Sequence, residues 1–367
     1  MRLHGGIFLF GLCAVAPAFA QAPADSVRSP LVPANVADLP AVVVSGVQPG
    51  PGLWKVSGKG VAAGGHVMWI LGTLSPLPRA VQWQSHEVEQ VIAGSQQVLL
   101  EPTVRLKADV GLLGKLFLLP SAYGARKNAD GKTLQQVVPP AVYARWLVLK
   151  QKYIGNDRGI ERWRPLFASQ ELYRKALKAN GLSRSGSIKN SIDALAKRAG
   201  VPETAADYTV QIEHPGAAIK AFKLAAPHDV TCFIRTLDSV EHDMPAMTAR
   251  ANAWATGDLP TLRQLPDSDR RDACVAALTG AGFAQTLGLN DVPAKQRAVW
   301  LTAARKALAT NPQTFALLPM DELLKPDGYL AALQAEGYRI ESPEQQDADL
   351  APEGTVAAPA QAATVTP

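Results

Sequence analysis

The pattern of apolar and polar positions is sharpest between His66 and Pro102. Residues 67–71 are an unbroken apolar run of strand formers that stops at Gly72, and residues 97–100 are a second run that stops at Glu101. Both read as buried strands ending in turns. Between them, Ser85 is placed to cap a helix whose apolar positions Val88, Val91 and Ile92 recur at three-to-four spacing. Glu87 and Glu89 fall in its first turn, where the helix dipole favours acids. A strand, loop, helix and strand in that order predict two parallel neighbouring strands. The turn at residues 72–75 and Glu101 would then share one sheet edge, where open α/β sheets place their sites.

The same patterns carry through the rest of the chain. Residues 53–56 open the folded body as an edge strand. Helical periods follow at residues 111–119, ending at Pro120, at 140–153 with Val142, Trp146, Leu147 and Leu149 on the buried face, at 163–180 and at 188–200. Residues 208–213 alternate and predict a third strand ending at Glu213, with His214 next. A helix covers residues 246–254, and the run Ala253-Trp254-Ala255-Thr256-Gly257-Asp258-Leu259 reads as its C-terminus, closed by Gly257. A further helix at residues 297–308 carries Arg297, Trp300 and Leu301 on or near one face. The last strand is at 314–318, and a final helix closes near Gly337. The fold class is mixed α/β: a central sheet with helices on its faces and a mainly helical insertion between Glu101 and Tyr208.

The ends differ in composition from this body. Residues 1–20 have Arg2, an apolar stretch at 7–15 and Ala18-Phe19-Ala20, the form of a signal peptide cleaved after Ala20. The apolar stretch is too short for a membrane anchor. The expectation is a periplasmic or secreted protein with no transmembrane anchor in its mature chain. Residues 21–52 read as a disordered leader and 341–367 as a disordered acidic tail rich in Ala and Pro, which leaves 53–340 as the domain. The domain carries an excess of about ten positive charges, a balance that favours anionic envelope ligands or partners. No nucleic-acid reader motif is present, which argues against nucleic acid for an exported chain. With Cys13 in the signal segment, Cys232 and Cys274 remain as an even pair, and export predicts a disulfide between them.

The order and spacing of these features resemble the TraB/GumN family, to which the Tiki-type proteases belong. That family has a strand ending Gly-Thr-Ile-His, a Leu-Pro and a Trp soon after, a helix, and a strand ending in Glu. Here the corresponding residues are Gly72-Thr73-Leu74-Ser75, Leu77-Pro78, Trp83 and Val98-Leu99-Leu100-Glu101. Leu53-Trp54 resembles the opening strand of the family's domain, Ile212-Glu213-His214 its Leu-Glu-Thr, and residues 253–259 its Ala-Trp-x-x-Gly-Asp-Leu element. Arg297 and Trp300 match a family helix that begins Arg-Asn, with Ala298 in place of the Asn. Aligning Asp327-Gly328 and Gly337-Tyr338 puts Pro319 and Glu322 at the Gly and His of the family's second Gly-x-x-His. Both histidine positions therefore carry other residues, Ser75 and Glu322.

The resemblance implies a divalent metal, held by imidazoles and a carboxylate, that lowers the pKa of a bound water. Ser75 is a poor substitute because its hydroxyl stays protonated, and Pro319 can neither take a positive φ nor donate an N–H. The better-matched reading is a degraded, non-catalytic relative that binds a ligand or partner. The alternative is a hydrolase with a re-drawn site. Glu101, Glu213 and Arg297 would be its catalytic residues, Ser75 and Glu322 its ligand positions, and oxygen donors would favour Mg²⁺, Mn²⁺ or Ca²⁺ over Zn²⁺. A third reading makes Ser75 a nucleophile with His66 or His214 as base, but no G-x-S-x-G elbow surrounds it and His66 lies at the other end of the strand. His86, His228 and His242 show no metal-ligand spacing.

Overall fold

A computed structural model of the chain describes residues 44–58, 65–79, 81–83, 85–108, 110–184, 187–224, 229–265, 270–279 and 291–350. The signal segment and its cleavage position Ala20 lie outside them. The strands are β1 (Gly46–Gln48), β2 (Leu53–Ser57), β3 (Val67–Thr73), β4 (Leu77–Pro78), β5 (Val81–Trp83), β6 (Val98–Ala108), β7 (Leu182–Ser183), β8 (Glu203–Ile212), β9 (Gln313–Pro319) and β10 (Arg339–Glu341). Six of them form a mixed sheet in the order β10-β2-β3-β9-β6-β8. The β10–β2 and β2–β3 pairings are antiparallel, and the rest are parallel. This is the mixed α/β class expected, and the expected helical insertion lies between β6 and β8.

One expectation about the sheet is corrected. β3 and β6 are parallel but not neighbours, because β9 runs between them. The cause is visible in β9 itself, where Thr314, Phe315, Ala316, Leu317 and Leu318 are all buried. A strand apolar on both faces is stable only at the centre of a covered sheet.

A second correction concerns β6, which does not end at Glu101 but continues to Ala108. Its register against β8 shifts between Leu99 and Pro102, a bulge at the point where a residue lacking an N–H enters the ladder. Beyond the bulge β6 pairs with β8, while its pairing with β9 covers Val98 and Leu99. A two-stranded ribbon therefore projects past the sheet.

β2 is not the edge strand expected, because β10 returns to pair with its outer side, and the Leu112–Gly124 helix also passes through Pro120 rather than stopping there. Parts of the stretches read as leader and tail are ordered. β1 pairs in parallel with β5, and the Pro343–Leu350 helix binds back through Gln346 Nε2, which donates to the Leu53 carbonyl at 2.8 Å.

Trp146, Trp254 and Trp300 are fully buried in the core, Trp146 with its ring 5.3 Å from that of Phe233. The Pro165–Ala179 and Asp229–Asp238 helices are locked by a buried pair, in which Arg164 donates to both Asp229 carboxylate oxygens at 2.7 Å. Beside it, Cys232 and Cys274 form the expected disulfide, joining the Asp229–Asp238 and Arg270–Thr279 helices.

Candidate functional site

The rim where β3 and β9 end is built by close backbone approach. Gly72 pairs with Leu318 and Thr73 with Pro319, and the Thr73 hydroxyl donates to the Leu318 carbonyl at 3.3 Å. A Cβ at Gly72 would strike the Met320 side chain and come within 2.9 Å of Leu323. The short Met320–Leu324 helix packs this closely over the strand end because position 72 has no Cβ; a side chain there would displace the tips of Met320 and Leu323. From the other side the Trp254 indole donates to the Gly72 carbonyl at 2.7 Å, with both groups buried. The helix that delivers Trp254 ends at Gly257 (φ 78°), as its sequence predicts, and Asp258 caps the following helix by accepting from the Thr261 N–H at 3.0 Å. That hydrogen bond, with a second from the Thr261 hydroxyl, holds the Asp258 carboxyl below its ordinary pKa.

Four of the expected side chains come to this rim. Ser75 lies two residues past the end of β3 and is exposed. Glu322 lies three residues past the end of β9, half-buried, and is ion-paired with Lys325. Glu101 stands in the bulge two residues beyond Leu99, which pairs with Ala316 of β9. Arg297, near the start of the Val292–Thr310 helix, donates from Nη2 to the Gly328 carbonyl at 2.5 Å. Its neighbour Gln296 donates to the Pro102 carbonyl at 2.6 Å, which fastens that helix to β6 just after Glu101.

Glu213 does not join them. Ala108 pairs with Ile212, so Glu213 is eight residues further along the ladder than Glu101. At about 3.3 Å per residue that separates the two carboxylates by roughly 25 Å. Glu213 is exposed at the tip of the β6–β8 ribbon, with His214 exposed beside it. His66 is also remote, at the start of β3, where its Nδ1 is 2.8 Å from the Leu308 carbonyl.

Sequence reasoning passed over Tyr329. Its ring meets Trp300 edge-on at 5.4 Å, and the Arg297 guanidinium lies 5.6 Å from its centroid. Burial, with Glu322 nearby, pushes the phenol up to about 12. Gly328, which precedes it, is packed too closely against the Glu322 carbonyl to carry a Cβ. A signal was present in the Asp327-Gly328-Tyr329 turn, but it reads as punctuation until the fold brings Arg297 to it.

A family model described as the TraB/PrgY/gumN family matches residues 52–342. This chain belongs to the TraB/PrgY/gumN family. No curated protein and no solved structure matches it. The TraB/PrgY/gumN match begins one residue before β2 and ends one residue after β10, so it takes in the whole six-stranded sheet and the rim described above.

The donor set at the rim does not fit the metal that the family resemblance implies. Among the described residues no group of three or more His, Cys, Asp and Glu is arranged to hold a metal ion. Ser75 offers a neutral hydroxyl, Glu322 is engaged with Lys325, and Glu213 is at the ribbon tip.

Proposed function

We propose that this TraB/PrgY/gumN protein is an exported, non-catalytic domain that acts by binding a ligand or partner. The observation that carries this reading is the state of the two positions where the resemblance expects histidines. Ser75 is exposed and Glu322 is ion-paired with Lys325, while the arginine expected to orient a carboxylate is instead hydrogen-bonded to the Gly328 carbonyl. The framework around them, Gly72, Trp254 and Gly257, is intact and tightly packed. A fold kept in good order around a rim without its metal ligands supports binding rather than turnover.

Export to an oxidising compartment is consistent with the Cys232–Cys274 disulfide. Among the described residues no helix is long and apolar enough to cross a membrane. The competing reading is a hydrolase that binds a divalent ion through Glu101 and Glu322. Metal content measured after incubation with Mg²⁺, Mn²⁺ and Zn²⁺ and desalting separates the two. The proposal expects no retained stoichiometric ion; one equivalent that disappears in Glu101→Ala would support the hydrolase.

A further inference from the structure

A second concave site is built between the helical insertion and the β4 segment that follows Ser75. It is an open cleft of about 900 Å³. One wall is the Pro165–Ala179 helix, whose residues Phe167, Glu171, Arg174 and Lys178 recur at three-to-four spacing on one face. The opposite wall is the antiparallel pair of β4 and β7. Its register places Arg79 beside Gly181, whose carbonyl accepts the Arg79 N–H at 2.8 Å, and brings Arg184 level with Pro76, next to Ser75. The third wall carries Arg126, whose guanidinium stacks 3.1 Å from the centroid of the Trp163 ring. That stack is fixed by its backbone, since the Arg164 N–H donates to the Arg126 carbonyl at 2.9 Å and Asn128 Nδ2 to the Trp163 carbonyl at 2.9 Å.

The charge balance of this cleft is one-sided. Arg79, Arg126, Arg174, Lys178 and Arg184 face it against a single carboxylate among the residues that line it, Glu171. That carboxylate is taken by Arg174, which donates to it at 2.5 and 2.9 Å. Hydrogen bonding to Arg174 holds the Glu171 carboxyl below its usual range, opposed by burial, with Arg174, Lys175 and Arg126 adding attraction. Among the described residues no carboxylate pairs with Arg79, Arg126, Lys178 or Arg184. Holding like charges together in a cleft is unfavourable unless an anion neutralises them, and a concave wall focuses the field that attracts one. Arginine forks match phosphoryl oxygens two at a time. Between the cations the part-exposed rings of Trp163 and Phe167 are available to a ligand ring, over the buried side chains of Leu177 and Leu182 and beside the polar Gln170 and Ser183.

We infer that this cleft binds a small saccharide bearing two or more phosphoryl groups, the phosphates held by the arginines and Lys178 and the ring laid against Trp163 and Phe167. The volume suits a ligand of that size. The same chemistry is presented by a free sugar phosphate and by the headgroup of a phosphorylated glycolipid. The inference gives the binding reading above its ligand class and rests on that reading only in taking binding as the domain's task. The two are tested apart: anion binding by a protein that also turns over peptide leaves the cleft standing and removes the non-catalytic reading.

The experiment is a calorimetric titration of the full chain with glucose 1,6-bisphosphate, with glucose as the neutral control. Parallel co-sedimentation uses phosphatidylcholine vesicles carrying a lipid with a bis-phosphorylated glucosamine disaccharide headgroup. Binding of the bisphosphate but not of glucose is expected, weakened on the order of tenfold or more by Arg126→Glu with Lys178→Glu. The exposed pair Lys197→Glu with Lys220→Glu changes net charge equally and should leave affinity close to wild type. Arg184→Gln, a surface change that spares the fold, should weaken binding several-fold on its own. Tighter capture of the vesicles than of the free sugar assigns the headgroup as source, and the reverse assigns the free sugar. No binding of either, or equal losses in the two charge-reversal pairs, overturns the inference.

Discussion

At the scale of single residues, Tyr329 reports on the rim. Its phenol is buried against Trp300, with Arg297 and Glu322 close, and its pKa is raised to about 12. A raised folded-state pKa means that the proton stabilises the native state fully below the unfolded value, near 10, and that this contribution is lost as pH rises through the folded value. Thermal stability should therefore fall between about pH 10 and about pH 12 by an amount that Tyr329→Phe removes. Melting curves of both proteins across that range check it, and identical pH profiles would contradict it. The side chains that matter most to the rim were unevenly legible. Gly257 announced a helix end in its local context, whereas the bond from Trp254 to the Gly72 carbonyl joins residues 182 apart and leaves no local pattern.

Secondary-structure elements were read well where periodicity is local, and poorly where pairing decides. The Pro140–Tyr153 helix and the β9 core appear in the hydrophobic pattern alone, although Leu147, expected on that helix's buried face, is exposed while Trp146 and Leu149 are buried. The place of β9 between β3 and β6 does not, because strand order follows from which faces are covered rather than from any one segment. Glu213 shows the same limit: a carboxylate just past a strand end was legible, but the ribbon that carries it beyond the sheet depends on the bulge at Leu99–Pro102. Two element-level predictions follow from the junctions. Asp229→Ala leaves the Arg164 guanidinium buried without its carboxylate and should cost about 3–5 kcal/mol in urea unfolding. Replacing both partners, as Arg164→Met with Asp229→Leu, should recover much of that loss. Gly257→Ala forces an L side chain into a left-handed position, with its Cβ 2.8 Å from the Gly50 carbonyl, and should cost more than the roughly 1–2 kcal/mol of the backbone term alone. A urea midpoint within error of wild type would refute that junction.

For the molecule as a whole, the family match spans the sheet from β2 to β10 and supports the fold read from sequence. The rim that the match encloses retains its packing, while the two positions at which the resemblance expects imidazoles carry Ser75 and Glu322. The strongly charged cleft lies instead between the helical insertion and the β4 segment, assembled from arginines and a lysine far apart in the chain. Net charge hinted at an anionic partner, but only the folded arrangement gathers those cations around Trp163. The proposed function is therefore binding rather than hydrolysis. The most direct measurement is mass-spectrometric analysis of a mixed peptide pool incubated with the purified protein and Mg²⁺, Mn²⁺ or Zn²⁺. No new cleavage products above a protein-free control are expected; cleavage that Glu101→Ala abolishes would contradict the account.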